Sequence, residues 1–237
     1  MMARMVTAAE TIARRIEERV LGELEPGATL PSESDIAAEF GVSRLTVREA
    51  VKSLQARGLV DIRRGRRPVV AQPNARPVGD FFAATIRRDP RHLLDLLEVR
   101  RALEVDIAML AATRAGRAAI GAAEAALDEM RRVCDDPDRV HAADVRFHES
   151  LAAATGNRLL AFLMEAMEEP LHASRLASLR GHLARGGTVA DVIDQHARIL
   201  DRVRAGDAAG AGAAMREHLS QTARDLRAAF AIDGRAG

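Results

Sequence analysis

The feature that most constrains this fold is the helical spacing of apolar residues, which runs through nearly all of the chain from Phe81 onward. Apolar side chains recur there three and four positions apart, as they do along one face of an α-helix. Residues typical of helix starts and ends divide the region into segments near 81–88, 90–114, 117–133, 138–155, 157–180, 188–205 and 207–230. Helices of this length joined by short loops favour an antiparallel helix bundle.

The first 72 residues have a different pattern. Three stretches with helical spacing, "AAETIARRIEERVLGE", "SESDIAAEFG" and "SRLTVREAVKSLQARG", precede two alternating stretches around Gly65 that predict a β-hairpin. The short turn in "AAEFGVSRLTV", with Ser43 as the N-cap of the helix after it, is typical of a helix-turn-helix. We therefore expect a mainly α protein, with a winged helix-turn-helix domain over 1–72, a linker over 73–88 and an all-α antiparallel bundle over 89–237.

The net charge of +1 conceals one strongly basic segment. Residues 40–72 contain 8 Lys and Arg against 2 Asp and Glu, a balance of +6, whereas residues 1–39 contain 4 against 8, a balance of −4. The remaining residues contain 23 against 24. A short basic segment in a near-neutral chain is typical of a nucleic-acid-binding surface. The chain has no Trp or Tyr, which argues against stacking on single strands and favours double-stranded DNA as the partner.

The third helix of this domain is predicted to read DNA. Arg44, Arg48 and Lys52 stand one turn apart on its outer face, where arginines can bind guanine O6 and N7 in the major groove. Ser43 and Thr46 are placed to bind phosphate oxygens. The arginines around Gly65 form a basic wing. The predicted DNA-binding residues are Ser43, Arg44, Thr46, Arg48, Lys52, Arg64, Gly65 and Arg66. The alternative is a solvated basic helix, which the charge alone would favour.

The stretch "LEPGATLPSESDIAAEFGVSRLTVREAVKSLQARGLV" resembles the winged-helix DNA-binding domain of the GntR family of bacterial transcription regulators. The resemblance implies that Arg44 and Arg48 are the principal base-reading residues, supported by Thr46 and the turn at Gly65. Two positions depart from the family pattern. Ser34 replaces an arginine that usually reaches DNA, and Arg67 replaces a glycine that is common in the wing.

The predicted bundle contains four polar residues on faces that should point inward. Asp144 and His148 are four positions apart and so share one helix face. His196 lies in the middle of an apolar stripe, and His218 shares a face with small residues. A hydrogen-bonded core histidine is the alternative for each one, but one carboxylate and three imidazoles together suit a divalent transition metal. The other histidines, which we interpret as structural, are His92, His141, His172 and His182.

Arg100 lies in the middle of a leucine-rich stripe and needs an anionic partner. Glu104, one turn further along the same helix, is one candidate. The carboxylate of a bound ligand is the other, because the guanidinium group binds carboxylates with two parallel hydrogen bonds. The sequence leaves both interpretations open.

The stretches "LLEVRRALEVDIAMLAA", "DVRFHESLAAATGN", "QHARILDRVRAGD" and "AAMREHL" resemble the FCD ligand-binding domain of the FadR-like branch of the same family. The resemblance implies that Asp144, His148, His196 and His218 bind a metal, commonly zinc or nickel-like. It also implies that Arg100 helps to hold a small organic acid, with Asn157 close to the pocket.

We therefore expect a homodimeric, ligand-responsive regulator, a repressor rather than an activator, that binds a short palindromic operator. One alternative is the same regulator with a metal-free acid pocket. Another is a metalloenzyme bundle, but the Glu169–His172 pair is interrupted by Pro170, and Glu149 is turned about 100° from His148. No enzymatic activity is expected.

The location expected for the chain is the cytoplasm. Cys134 is the only cysteine, so no intrachain disulfide is expected. The first residues are charged every few positions, unlike a secretory signal. No apolar run approaches the roughly 18 residues of a membrane span, so no membrane partner is expected.

Overall fold

The computed structural model describes residues 6–233 and divides into two compact units, the first ending at Pro77 and the second beginning at Val78. The first unit contains α1 (Ala8–Gly22), α2 (Glu33–Phe40), α3 (Arg44–Ala56), β1 (Val60–Asp61) and β2 (Val69–Val70). The second contains most of α4 (Arg76–Arg88), then α5 (His92–Arg114), α6 (Arg117–Arg132), α7 (Pro137–Ala154), α8 (Arg158–Ala184), α9 (Val189–Arg204) and α10 (Ala208–Asp233). The predicted fold class, mainly α with a small hairpin, is confirmed.

The helix-turn-helix is fixed by local capping. Ser32 is the N-cap of α2 and forms a reciprocal capping box with Asp35. Ser43 is the N-cap of α3 and accepts a hydrogen bond from the Thr46 N–H at 3.1 Å. Between them Gly41 has φ 64°, a left-handed conformation that few residues other than glycine adopt. These caps place the start of α3 directly after a sharp turn.

The core of the first unit leaves one face of α3 outside. Val47, Val51 and Leu54 are almost completely buried and pack in one cluster with Ile16 and Val20 of α1. Ala50 is buried with them, whereas Arg48, Glu49, Lys52 and Ser53 lie on the opposite side of the helix and face solvent.

The predicted hairpin is correct in type, but its strands are shorter than the alternating pattern indicated. Val60 pairs with Val70 and Asp61 with Val69 in antiparallel register, and Thr29 forms a further bridge to Val69. Residues 62–68, called the wing below, form an open loop in which Gly65 has φ 73°. The arginines of the wing are exposed to solvent. Because their side chains are not buried, no packing stabilises strand pairing beyond Asp61 and Val69.

The second unit is a helix bundle in which α10 packs against α5, α8 and α9. Phe147, Met167, Ile199 and Met215 are completely buried in its core. The helices α8 and α10 are in backbone contact, because a Cβ atom at Gly181 would lie 2.0 Å from a backbone carbonyl oxygen of α10. None of the helices in residues 6–233 combines the length and apolar character needed to cross a bilayer.

Several helix boundaries differ from those predicted. The helix α4 begins at Arg76 rather than near 81, so most of the segment predicted as a linker, 73–88, is helical. The stretch "PNARPVGD" predicts a boundary because it contains two prolines and a glycine, but proline is well tolerated in the first turn of a helix, where Pro77 lies. The Asn74 side chain accepts a hydrogen bond from the Arg76 N–H at 3.2 Å and supports this start. The helix α8 also continues to Ala184, past the predicted end at 180.

Candidate functional site

The four predicted metal ligands come together inside the bundle. Asp144 and His148 lie on α7, His196 on α9 and His218 on α10, and one potential ligand atom from each lies within 4.8 Å of all the others. The three imidazoles are at most 5% exposed. We call these four residues the histidine cluster.

The Nε2 atoms of His148 and His196 and the Asp144 carboxylate face one another at the centre of the histidine cluster. The Nε2 atom of His196 lies 2.9 Å from Oδ1 of Asp144 and 3.3 Å from Nε2 of His148. The Nε2 atom of His148 lies 3.7 Å from the same carboxylate oxygen. Phe147 packs edge-on against His196, with ring centroids 4.9 Å apart, and covers one side.

The other ring nitrogens are held by acceptors. Nδ1 of His196 lies 2.8 Å from the Val192 carbonyl oxygen, which can only accept, so this nitrogen carries the proton. Nδ1 of His148 lies 2.5 Å from the Glu104 carboxylate, and Nδ1 of His218 lies 2.9 Å from Oε1 of Gln195. A neutral imidazole protonated at Nδ1 has a lone pair at Nε2.

The histidine cluster fits a divalent transition metal. Lone pairs from three imidazoles converge beside a carboxylate, an arrangement that is unfavourable unless a cation or a proton lies between them. Nitrogen and oxygen ligands bind such ions at about 2.0–2.2 Å, so two ligands of one ion lie at most about 4.4 Å apart. The four donors, all within 4.8 Å of one another, need only a small approach to meet that spacing.

The charges around the histidine cluster are strongly coupled. Burial raises the pKa of Asp144, but the positive charge of Arg175 and the contacts with the imidazoles of His148 and His196 outweigh it, so the pKa lies well below its usual range. Burial and the neighbouring imidazoles hold the pKa of His218 well below its usual value. His218 is therefore neutral, which a metal ligand must be.

Arg100 forms a buried ion pair with Glu104, as one of the two interpretations expected. Nε of Arg100 contacts Oε1 of Glu104, and both side chains are 2% exposed. Burial raises the pKa of Glu104, but the charges of Arg100 and His148 outweigh it and lower the pKa. Nη2 of Arg100 is buried and makes no hydrogen bond to any residue in 6–233. Glu104 therefore connects Arg100 to a ring of the histidine cluster and leaves part of the guanidinium group unpaired.

A second buried arginine, Arg175 on α8, was missed by the sequence analysis. Its Nε atom lies 2.8 Å from Oδ2 of Asp144, while its Nη1 atom is buried without a hydrogen-bond partner among the described residues. Leu171 and Leu179, one turn before and after it, are apolar. His172 and Ser178 on the same face are polar, so the apolar stripe that identified Arg100 is only partial around Arg175.

A cavity lies beside the histidine cluster, with Asp144, His218, Arg100 and Arg175 in its wall. The space open to the centre of a water molecule is about 60 Å³, several times the ~10–15 Å³ that one water needs. The remaining wall combines apolar and polar residues, among them Val140, Leu176, Leu179, Val192, His141, His182, Thr222 and Asp225. His141 and His182, expected from the sequence to be structural, both line this cavity.

Two other residues lie away from the cavity. Asn157, expected near the pocket, is the exposed N-cap of α8, where its Oδ1 accepts from the Leu159 N–H at 3.0 Å. That expectation is corrected, because an N-cap side chain is occupied by its own helix. Glu149, the acid weighed for an enzyme, lines a separate groove beside α6 with Ala126 and Arg146.

Five of the eight predicted DNA-binding residues line one groove of the first unit. Arg44, Arg48 and Lys52 are exposed on α3 and line a groove whose other wall includes Gly65 and Arg66 of the wing. Arg64 of the wing is exposed, and Ser43 and Thr46 lie at the start of α3 with their hydroxyl oxygens 2.8 Å apart. The groove also contains Ser34 and Arg67, the two departures from the family pattern.

Arg48 is paired with Glu33, a contact that the sequence did not predict. Nε and Nη2 of Arg48 donate to the Glu33 carboxylate at 3.1 Å and 2.8 Å. The hydrogen bond from Arg48 lowers the pKa of Glu33 despite partial desolvation. Glu33 is therefore ionised and lies within the basic groove.

Comparison with known proteins agrees with this architecture. Residues 8–70 match the family described as bacterial regulatory proteins, gntR family, and residues 95–221 match the FCD domain. The HTH-type transcriptional regulator LutR of Bacillus subtilis is 34% identical over 200 residues, which cover 84% of this chain and 91% of that protein. The galactonate operon transcriptional repressor of Escherichia coli is 29% identical over 88% of this chain and 91% of its own length.

Among solved structures, Streptococcus agalactiae GntR superposes with a TM-score of 0.68 at 26% identity, covering 91% of this chain and 99% of that one. Sequence and structure thus agree over both units. The chain belongs to the gntR family of bacterial regulatory proteins and is a transcriptional regulator with an FCD domain.

Proposed function

We propose that this regulator is a ligand-responsive repressor whose helical unit binds a divalent metal ion and a small organic acid. The observation that carries the proposal is the convergence of one nitrogen from each of three imidazoles and one carboxylate in a buried site. The Nδ1 atoms of His196 and His218 are hydrogen-bonded to acceptors and that of His148 lies beside the Glu104 carboxylate, so the opposite ring nitrogens are available to a cation.

The proposed metal ligands are Asp144, His148, His196 and His218. When bound, an ion of the zinc or nickel-like kind supplies positive charge that attracts a carboxylate. The protein orients the ligands through the Val192 carbonyl, Gln195 and Glu104, which fix the three rings. Such supporting contacts commonly set ring orientation and ligand basicity.

Arg100 and Arg175 are proposed to bind the acid. Each carries a buried N–H group without a partner in residues 6–233, and an unpaired buried donor is costly. A carboxylate satisfies such donors with charge-assisted hydrogen bonds. The positive charges of Arg100 and Arg175 are balanced by Glu104 and Asp144, so a bound divalent ion leaves an excess of positive charge that an acid anion neutralises.

The cavity of about 60 Å³ suits a small acid. The Escherichia coli relative is named for a galactonate operon, and 2-hydroxy acids offer a hydroxyl group next to the carboxylate. Aldonic acids and short 2-hydroxy acids are therefore the first compounds to test, with dicarboxylates as the comparison.

The first unit is proposed to bind a palindromic operator as one half of a homodimer. Arg44 and Arg48 contact bases in the major groove, while Lys52, Ser43 and Thr46 contact phosphates. Arg64, Gly65 and Arg66 of the wing contact the adjacent backbone. Acid binding changes operator affinity, and a coupling of about 1–3 kcal/mol changes it several-fold to more than a hundredfold.

The metal is tested on full-length protein purified without a metal-affinity column. Elemental analysis after addition of zinc or nickel and removal of excess ion should find about one ion per chain. His196→Ala should lose it, whereas His172→Ala, which removes an exposed imidazole outside the histidine cluster, should retain it. Wild-type protein that binds neither ion, or a His196→Ala variant that binds as well, contradicts the metal site.

The acid and the DNA are tested with a duplex selected by the wild-type protein from a random pool. Fluorescence anisotropy should show that an effective acid weakens binding, and that Arg48→Ala strongly reduces, without abolishing, the preference for the selected duplex and does not unfold the protein. Equal acid affinity before and after chelation would favour a metal-free pocket. Tighter DNA binding with the acid would contradict repression relieved by the ligand.

A further inference from the structure

Glu33 introduces a negative charge into the groove proposed to bind DNA. It is the first residue of α2, and its Oε1 and Oε2 atoms lie 3.1 and 3.2 Å from Nε of Arg48 on α3, with Oε2 also 2.8 Å from Nη2. DNA is a polyanion, so a carboxylate in this position opposes binding through simple electrostatics. Its presence therefore requires another explanation.

The geometry of the pair divides the guanidinium group into a used edge and a free edge. A guanidinium group is planar and offers one pair of donors along its side, from Nε and Nη2, and another pair at its end, from Nη1 and Nη2. Glu33 engages the side pair. Nη1 makes no hydrogen bond within residues 6–233, so the end pair is free to bind O6 and N7 of a guanine.

Stability does not explain the pair. The Arg48 side chain is 51% exposed and the Glu33 side chain 27% exposed, and ion pairs this accessible to water contribute little to folding. The contact does restrict the long side chain of Arg48 before DNA binds. This restriction reduces the conformational entropy that Arg48 would lose on binding.

We propose that Glu33 is a positioning residue for base recognition, which holds the side edge of Arg48 so that its end edge faces a guanine in the major groove. The inference rests on the proposed function, in which α3 reads DNA. Glu33 contacts no base in this arrangement and acts only through Arg48.

Positioning and plain electrostatics predict opposite results when the charge is removed. If Glu33 is only a repelling charge, its loss strengthens binding to every duplex. If Glu33 positions Arg48, its loss weakens binding to the selected duplex while binding to unrelated DNA stays equal or strengthens. The ratio of the two affinities is therefore the decisive quantity.

The experiment uses full-length protein, a duplex selected by the wild type and a scrambled duplex. Glu33→Gln should lower the ratio of specific to non-specific affinity about three- to tenfold, which is part of the roughly 5- to 150-fold that a bidentate arginine–guanine contact provides. Glu33→Asp, which keeps the carboxylate, should retain more of the ratio. Glu49→Gln removes an equal charge from an exposed position on α3 and should leave the ratio unchanged.

The same ratio measured in an Arg48→Ala background should not respond to Glu33→Gln, because Glu33 acts through Arg48. An unchanged or higher ratio in Glu33→Gln overturns the proposal, as does a drop that persists in the Arg48→Ala background. A fall in thermal stability that accounts for the lost binding also overturns it. Failure of the wild type to select any sequence would instead refute the proposed DNA reading itself.

Discussion

Glutamine in place of Glu104 provides the sharpest test of the polar network beside the cavity. Glu104 contacts both Arg100 and Nδ1 of His148. Glutamine preserves the volume but removes the negative charge, so Arg100 is left as a buried cation without a compensating anion. The same change weakens the contact that orients His148. We expect a loss of stability that does not depend on any bound ligand.

The magnitude follows from burial. Both side chains of the Arg100–Glu104 pair are 2% exposed, and removing one partner of a buried ion pair costs about 3–5 kcal/mol. For a unit of this size each kcal/mol lowers the melting temperature by about 2–4 °C, so we expect a decrease of roughly 6–20 °C. Loss of an orienting contact to a metal-binding histidine typically weakens metal affinity about 10- to 100-fold.

Thermal unfolding followed by circular dichroism, in the presence of a chelator, measures the first effect. Glu124→Gln is the matched control, because Glu124 pairs with Arg204 through side chains that are 37% and 54% exposed and should change stability by less than about 1 kcal/mol. Adding Arg100→Met to Glu104→Gln should recover part of the loss by removing the unpaired charge. A Glu104→Gln protein as stable as the Glu124→Gln control would refute the reasoning.

Four further predictions follow from separate features. Chelation should lower the melting temperature of zinc-loaded wild type but not of His196→Ala, since only a bound ion stabilises the folded state by mass action; equal shifts would contradict the site. Gly181→Ala should destabilise the bundle by more than about 1 kcal/mol, because its Cβ would lie 2.0 Å from a carbonyl oxygen, whereas Gly121→Ala, in open space, should be neutral or stabilising in the same denaturant titration; equal effects would refute the close approach. Burial and the charge of Arg175 hold the pKa of His141 at about 4, so the stability from its neutral form is present above the unfolded pKa of about 6.5 and is lost as pH falls toward 4. In His141→Gln the free energy of unfolding should fall less steeply over this pH range. A variant whose stability falls as steeply as that of the wild type would contradict the prediction. Lys52→Ala should reduce the slope of log affinity against log salt by about one without changing sequence preference, and a changed preference would show that it reads bases.

The inward orientation of the histidine cluster was predictable because the sequence patterns that indicate it lie within single helices. Asp144 and His148 share a face on a well-capped helix, and His196 lies in the middle of a clear apolar stripe. Helical periodicity alone therefore pointed these side chains toward the core. Their convergence at one point depends on how three helices pack, and the sequence suggested it only through the combination of donor types and the resemblance to a known family.

The supporting contacts could not be predicted because they depend on packing between helices. The contact from Glu104 to His148 depends on the position of α5 along the axis of α7. The spacing of residues within either helix does not specify that position. The Arg175–Asp144 contact likewise depends on α8 lying beside α7. Leu171 and Leu179 flank Arg175, but His172 and Ser178 share its face, so its sequence signal is weaker than that of Arg100.

The error over Asn157 has a different physical origin. Its position after Gly156 and before a long helical stretch is typical of an N-cap, and capping is its role in the structure. The resemblance to the FCD domain suggested a place near the pocket, although the capping preference of asparagine alone predicted the position that the structure shows. In the wing a local rule failed. The alternating pattern predicted longer strands, but the arginines of the wing are exposed and the strands contain only two residues each.

The distribution of the cluster over three helices has a consequence for how the bundle opens. Because α7, α9 and α10 each supply at least one of the four donors, none of them can detach without breaking the set. An ion held there would tie the three helices into a single cooperative unit. Amide hydrogens along all three should then exchange with solvent at a common slow rate, and on chelation each helix should return to a rate of its own.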